Sequence, residues 1–165
     1  MKNYHKSFSA LCLGIGSLVT VAGITAIAGV SNASDNRNLG VQLASAATPL
    51  AQELQGKPVV VKITADWCGG CKAIEPTISA LQKQYQNKAT FVVFNVTDKA
   101  TTQASEGQAK KLGLGSFFAA NKSKTATVAI LDPSNGQVLK LLQRSTNQKD
   151  YQTVLDSAIA RLQKK

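Results

Sequence analysis

Two cysteines stand two residues apart in the stretch "ADWCGGCK", Ala65 to Lys72. Such a pair can exchange thiol for disulfide, supply half of a metal site, or staple a local turn. Exchange follows naturally if a helix starts near Cys68. The unpaired backbone N–H groups and the dipole at a helix start stabilise a thiolate. Sites of that kind lower a cysteine pKa from about 8.5 into the range of roughly 3.5–7.5. Cys71, one helical turn on, is near enough to attack a mixed disulfide formed at Cys68 and release the partner. Gly69 and Gly70 carry no Cβ, so another backbone can approach closely, and Trp67 offers an apolar shelf beside the sulfur.

The competing readings are weaker. Zinc takes four ligands, or three plus water, and His5 is the only histidine in the chain. With no second cysteine pair, no metal site is expected within one chain, although two chains could share an ion. A disulfide closing so small a loop constrains little of the unfolded chain, which weakens the staple. The third cysteine, Cys12, lies in an apolar segment and reads as a small buried side chain. Two cysteines this close do not make a disulfide framework.

The elements around the pair suit the redox reading. "KPVVVKITA" is a buried strand running into the cysteine turn, and Ile74, Ile78, Leu81 and Tyr85 follow at helical spacing. "ATFVVFNV" is a second buried strand, and "TTQASEGQAKKLG" predicts a helix ending at Gly113. "TATVAIL" and "QVLKLLQ" predict strands joined by the turn "DPSNG". "NQKDYQTVLDSAIARLQ" closes the chain as an amphipathic helix. The order β-α-β-α-β-β-α implies a parallel βαβ unit joined to an antiparallel hairpin, with helices on both faces. Between "KLGL" and "TATVAIL", "GSFFAANKSK" reads as a long loop. Its Phe117 and Phe118 either form a partner surface near the cysteines or, the favoured reading, tuck into the core.

The flanking sequence bears on compartment and partners. Residues Ser7 to Ser34 contain no Asp, Glu, Lys or Arg, behind Lys2 and Lys6. Residues 1–34 are therefore a signal peptide or a membrane anchor, 35–47 a linker and 48–165 the folded domain. An uncharged run of this length can cross a bilayer, which needs about 20 residues. The small residues of "SNAS" and "LASAA" suit cleavage after Ala33 or Ala46, so both readings stand. In either, the lysines stay in the cytoplasm and the domain is exported. Residues 7–30 supply the anchor if it is kept. Beyond Asp35 the chain has 17 basic and eight acidic residues, a net of +9. The lysines are scattered with few aromatics between them, so no nucleic-acid partner is expected.

At this point the residues resemble the thioredoxin family. "VVVKITADWCGGCKAIEPTISALQKQY" is similar to that family's strand, W-C-x-x-C-K motif and following helix, and Pro76 sits where the family has its helix-kinking proline. The resemblance covers roughly residues 48–163. It implies a thioredoxin-like α/β fold, a central mixed sheet flanked by helices. The exported, apolar-led arrangement is similar to membrane-tethered members of the bacterial periplasm and thylakoid lumen, which reduce disulfides of exported proteins. No cofactor beyond a Cys68–Cys71 disulfide is expected. A reducing role in an oxidising compartment further implies a membrane electron donor.

Three positions depart from the family pattern. Gly70 replaces the usual proline between the cysteines. Lys62 occupies the place of the family's buried acid; either its ammonium favours thiolate at the cysteines, or it snorkels to the surface. Ala126 occupies the place of the family's cis-proline. A non-proline cis bond costs about 2.5–4 kcal/mol, so a trans bond is expected there. The resemblance also implies that Trp67 and the Thr125–Ala126 loop touch the partner. The expected activity is protein-disulfide oxidoreduction, in the reducing direction. The alternatives are a disulfide-donating oxidant or isomerase, and a non-catalytic binding or assembly module.

Overall fold

The computed structural model describes residues 48–164. The apolar segment, the linker, a weak strand expected at 39–43 and Cys12 lie outside the described residues.

The described part opens with a 3-10 turn, Gln52–Leu54, and Gly56 at φ +83° turns it into β1, Val59–Thr64. The succession is then α1 (Gly69–Tyr85), β2 (Thr90–Asn95), α2 (Lys99–Lys111), α3 (Gly115–Asn121), β3 (Thr127–Leu131), β4 (Val138–Gln143) and α4 (Gln148–Leu162). Four strands form one mixed sheet in the order β2-β1-β3-β4. β1 pairs parallel to β2, with Val61 opposite Val92, and antiparallel to β3, with Val61 opposite Ala129. β3 and β4 form the expected hairpin, irregular at Ile130/Leu131.

Alternation along the central strands builds two cores. Val60, Val128 and Ile130 meet Ile74, Ile78, Leu81 and Tyr85 of α1 and Tyr151 and Leu155 of α4. Val59, Val61, Ala129 and Leu131 face the other way, against Ala109, Leu112, Leu114 and Phe118 of the α2–α3 side. Because successive strand side chains point to opposite faces, β1 is buried on both sides and reads as a continuous apolar run broken only by Lys62.

One expectation is overturned. "GSFFAANKSK" is not a long loop: Gly115–Asn121 is α3. It has no side-chain N-cap, which left no start signal in the sequence. The helix is held by Phe118, fully buried and edge-on to Phe94 with ring centroids 5.2 Å apart. Both phenylalanines pack in the α2–α3 core, Phe117 at its margin, whereas the cysteines belong to the α1–α4 core. The pair is structural, as favoured, and forms no surface near the cysteines. Among the described residues no helix is long and apolar enough to cross a membrane.

Candidate redox site

Strand direction assembles the site. β1 and β2 run parallel, β3 runs against β1 and β4 against β3. The ends of β1, β2 and β4 and the start of β3 therefore share one edge of the sheet. That edge gathers the cysteine loop after Thr64, Thr97 after β2, Ala126 before β3 and Arg144 after β4.

Cys68 is the N-cap of α1, with extended backbone (φ −86°, ψ 102°). Its Sγ accepts the Cys71 N–H at 3.0 Å, replacing the oxygen that usually caps a helix. The two residues are joined as a disulfide with Cα atoms 5.3 Å apart. Cys71 Sγ lies 3.9 Å from the Ile63 carbonyl oxygen. Both cysteines are buried, while Trp67 beside them is 66% exposed, leaving its ring as an open shelf. Pro76 lies inside α1 as the family resemblance implied. It removes one helical N–H donor a turn and a half past the cysteines.

Thr97 holds the loop's outer side. The Asp66 N–H donates to Thr97 Oγ1 at 3.0 Å, and Trp67 Nε1–H donates to the Thr97 carbonyl at 2.9 Å. Asn95 fixes Thr97 in turn, its Oδ1 accepting the Thr97 N–H at 2.9 Å. Ser105 of α2 bridges to both backbone groups of Asn95, at 2.9 and 2.8 Å. The indole is thus aimed by a relay reaching across the sheet edge to α2.

Lys62 shares the face of Val60 and is buried at 6% exposure beneath α1. It does not snorkel free: its Nζ pairs with the Glu75 carboxylate. Glu75 lies one helical turn beyond Cys71 and is half-exposed. Thr64, Ala65, Asp66, Cys71, Lys72 and Glu75 line an open cavity of about 570 Å³. The Lys62 ammonium is therefore compensated by a carboxylate on the same helix as Cys71.

Ala126 is fully buried, preceded and followed by trans bonds, with φ +60°. Its N–H donates to the Ile63 carbonyl at 3.0 Å and its carbonyl accepts the Arg144 N–H at 2.9 Å. Both backbone groups are engaged within the chain, and Thr125 beside it is half-buried. A Cβ built on Gly70 would lie 3.3 Å from Ala126 Cβ and 3.2 Å from Arg144 Cγ and Nε. Gly69 has open space. The glycine in place of the family's proline thus makes room for an arginine.

Cys68, Cys71, Trp67, Gly69, Gly70 and the Thr125–Ala126 loop lie at this end of the sheet. Thr97, Glu75 and Arg144 join them without having been singled out. Glu75 was reachable, since i and i+4 share a helix face. Thr97 and Arg144 had no local signal. Among the described residues, no cluster of three metal-ligating side chains occurs.

A family model described as Thioredoxin matches residues 42–126, just over half the chain. Thioredoxin-like protein HCF164, chloroplastic, of Arabidopsis thaliana is 37% identical over 81 residues, covering 46% of this chain and 31% of that protein. A thiol:disulfide interchange protein TxlA homolog of Synechocystis is 34% identical over 84 residues, covering 48% of this chain and 47% of that one. The chain thus spans between about a third and a half of these curated relatives. Among solved structures, MTB dsbF is 21% identical with a TM-score of 0.47, covering 64% of this chain and 84% of its own. With the family match spanning the cysteine loop, both cores' central strand and α1, the chain belongs to the thioredoxin family, and Cys68–Cys71 is its C-x-x-C redox pair.

Proposed function

We propose that this chain is an exported thiol–disulfide oxidoreductase that reduces disulfides of exported proteins. One observation carries the exchange chemistry: the Cys68 sulfur sits at the N-cap of α1 with the Cys71 N–H directed at it at 3.0 Å. That donor and the helix start stabilise negative charge on Cys68, the condition for an attacking thiolate. The Cys68 thiolate attacks one sulfur of the partner's disulfide, and the partner's other sulfur leaves as a thiolate that takes a proton from water. Cys71 then gives up its proton and attacks Cys68 Sγ, closing the intramolecular disulfide and releasing the partner's second sulfur. Two electrons pass from this chain to the partner, and a membrane donor must restore the dithiol. The Cys68–Cys71 dithiol itself carries the electrons, and the reading calls for no other cofactor.

Three features support compartment and direction. The uncharged run from Ser7 to Ser34 behind two lysines fits a signal or anchor that leaves the domain exported to periplasm or thylakoid lumen. One relative is named as chloroplastic and another as a thiol:disulfide interchange protein. Trp67, Gly69, Gly70 and Thr125 form the rim a partner would meet.

Cys71→Ser tests the exchange. It should accumulate mixed disulfides through Cys68 with a disulfide-bonded substrate such as insulin, and Cys68→Ser/Cys71→Ser should accumulate none. Absence of adducts in both leaves an assembly module in place of an enzyme. Equilibration in glutathione buffers then gives direction: a potential near −270 mV supports the reductant, and one near about −120 mV reassigns the chain as a disulfide donor.

A further inference from the structure

Arg144 is a cationic side chain seated on the cysteine loop from a distant part of the chain. It follows β4 directly at φ +55°, opposite Ala126 at φ +60°. Both are in the left-handed region, which disfavours residues carrying a Cβ. The Arg144 N–H donates to the Ala126 carbonyl at 2.9 Å, so the two strained residues hold each other at the sheet edge. From there the arginine stem lies over Gly70, its Cγ and Nε each 3.2 Å from where a Cβ would stand.

The residue is exposed, and among the described residues its guanidinium pairs with no carboxylate. Among the described residues the ion pairs are Lys62–Glu75 and Lys110–Glu106. An exposed arginine ordinarily sweeps many rotamers. Here the stem lies over the bare Gly70, inside the C-x-x-C loop and two residues from Cys68. Strained residues persist where the surroundings or the function over-determine them, and the backbone bond to Ala126 leaves the guanidinium itself unexplained.

We propose that Arg144 is a specificity-determining residue whose guanidinium takes a carboxylate of the partner next to the attacked disulfide, so that acidic residues flanking a cysteine mark preferred substrates. This rests on the disulfide-exchange reading above. Arginine's planar fork accepts a carboxylate through two parallel N–H bonds. The chain's net +9 beyond Asp35 favours encounter with the same acidic partners.

The test uses the reduced full chain in single-turnover reduction of two synthetic peptides. Each carries one disulfide, and they differ only in Glu or Lys beside the bridge. Wild type should reduce the Glu peptide about threefold faster at low salt, the size of an exposed ion pair, and the margin should shrink at high salt. Arg144→Gln keeps the stem on Gly70 and should abolish the preference; Arg144→Glu should invert it. Arg144→Gly suits the left-handed backbone and should lose the preference at unchanged or higher stability, which a purely structural arginine would not do. Lys83→Gln removes the same charge at the far end of α1 and should keep the preference. Equal preference in Arg144→Gln and wild type overturns the inference and leaves the oxidoreductase standing. Failure to reduce either peptide overturns both.

Discussion

Lys62 is a buried ammonium on the central strand, and its behaviour depends on one contact from another element. With Glu75 in place the charge is paired. Without it a buried ammonium is left beside Val128 on the central strand with no counter-charge. Removing one member of such a pair costs more than removing the charge altogether. Glu75→Gln should therefore destabilise by roughly 1.5–3 kcal/mol, while Lys62→Met should be close to neutral. Urea denaturation of both variants checks the asymmetry. Equal losses would show that Glu75 does not compensate Lys62. Glu75 stands one turn from Cys71, so Lys62→Met should also move the Cys71 titration upward, by leaving a carboxylate unopposed near the thiol. The same scale bears on Gly70: a Cβ there would crowd Arg144 and Ala126, which would have to give by a few tenths of an ångström.

The helices over the α1–α4 core are joined by more than apolar packing. Tyr85, near the end of α1, donates its hydroxyl to Asp156 Oδ1 of α4 at 2.8 Å. Burial, then the hydrogen bond to Asp156 and its charge, push the Tyr85 pKa from 10.0 up to about 12. The folded state thus holds this proton more tightly than the unfolded chain. The stabilisation is complete below pH 10 and is lost as pH rises through about 12. Tyr85→Phe should lose about 1 kcal/mol at neutral pH, from the missing hydrogen bond. It should also flatten the fall in stability above pH 10, the unperturbed value of the phenol. Denaturation midpoints at stepped alkaline pH check this. Tyr151 of α4 is also shifted upward by burial, so one substitution removes only part of the slope. The cysteine loop is held differently, by the Thr97 relay from the β2–α2 junction, which fixes the Trp67 shelf from outside both cores.

Across the whole molecule, the sheet separates chemistry from a second source of stability. The cysteines, Lys62 and α1 occupy one face, and α2, α3 and the Phe94–Phe118 contact occupy the other. Phe118→Ala should cost about 3–5 kcal/mol, as loss of a fully buried phenylalanine does. Alkylation of reduced Cys68 should keep its pH dependence, because no side chain of the redox face is removed. Thermal unfolding and iodoacetamide rates measured on one preparation check both halves. A shifted alkylation profile would show that the far core tunes the site through the central strand.

What the amino-acid sequence determined by itself is what near neighbours decide. The W-C-x-x-C-K run, the apolar strand before it and the 3.6-residue rhythm after it place Cys68 at a helix start and Cys71 one turn on. Spacing and capping act within a few residues, so these were legible, as were all four described strands and three of the four described α-helices. The fourth, α3, was not legible: seven residues without a capping side chain form a helix because Phe118 finds Phe94, and that partner is remote in sequence. Tertiary structure alone decided that Thr97, Ala126 and Arg144 meet at the cysteine loop, and that Lys62 meets Glu75. Those meetings depend on strand order and direction, which the burial of both sheet faces sets for the whole chain at once. No local pattern records which distant strand ends will share an edge.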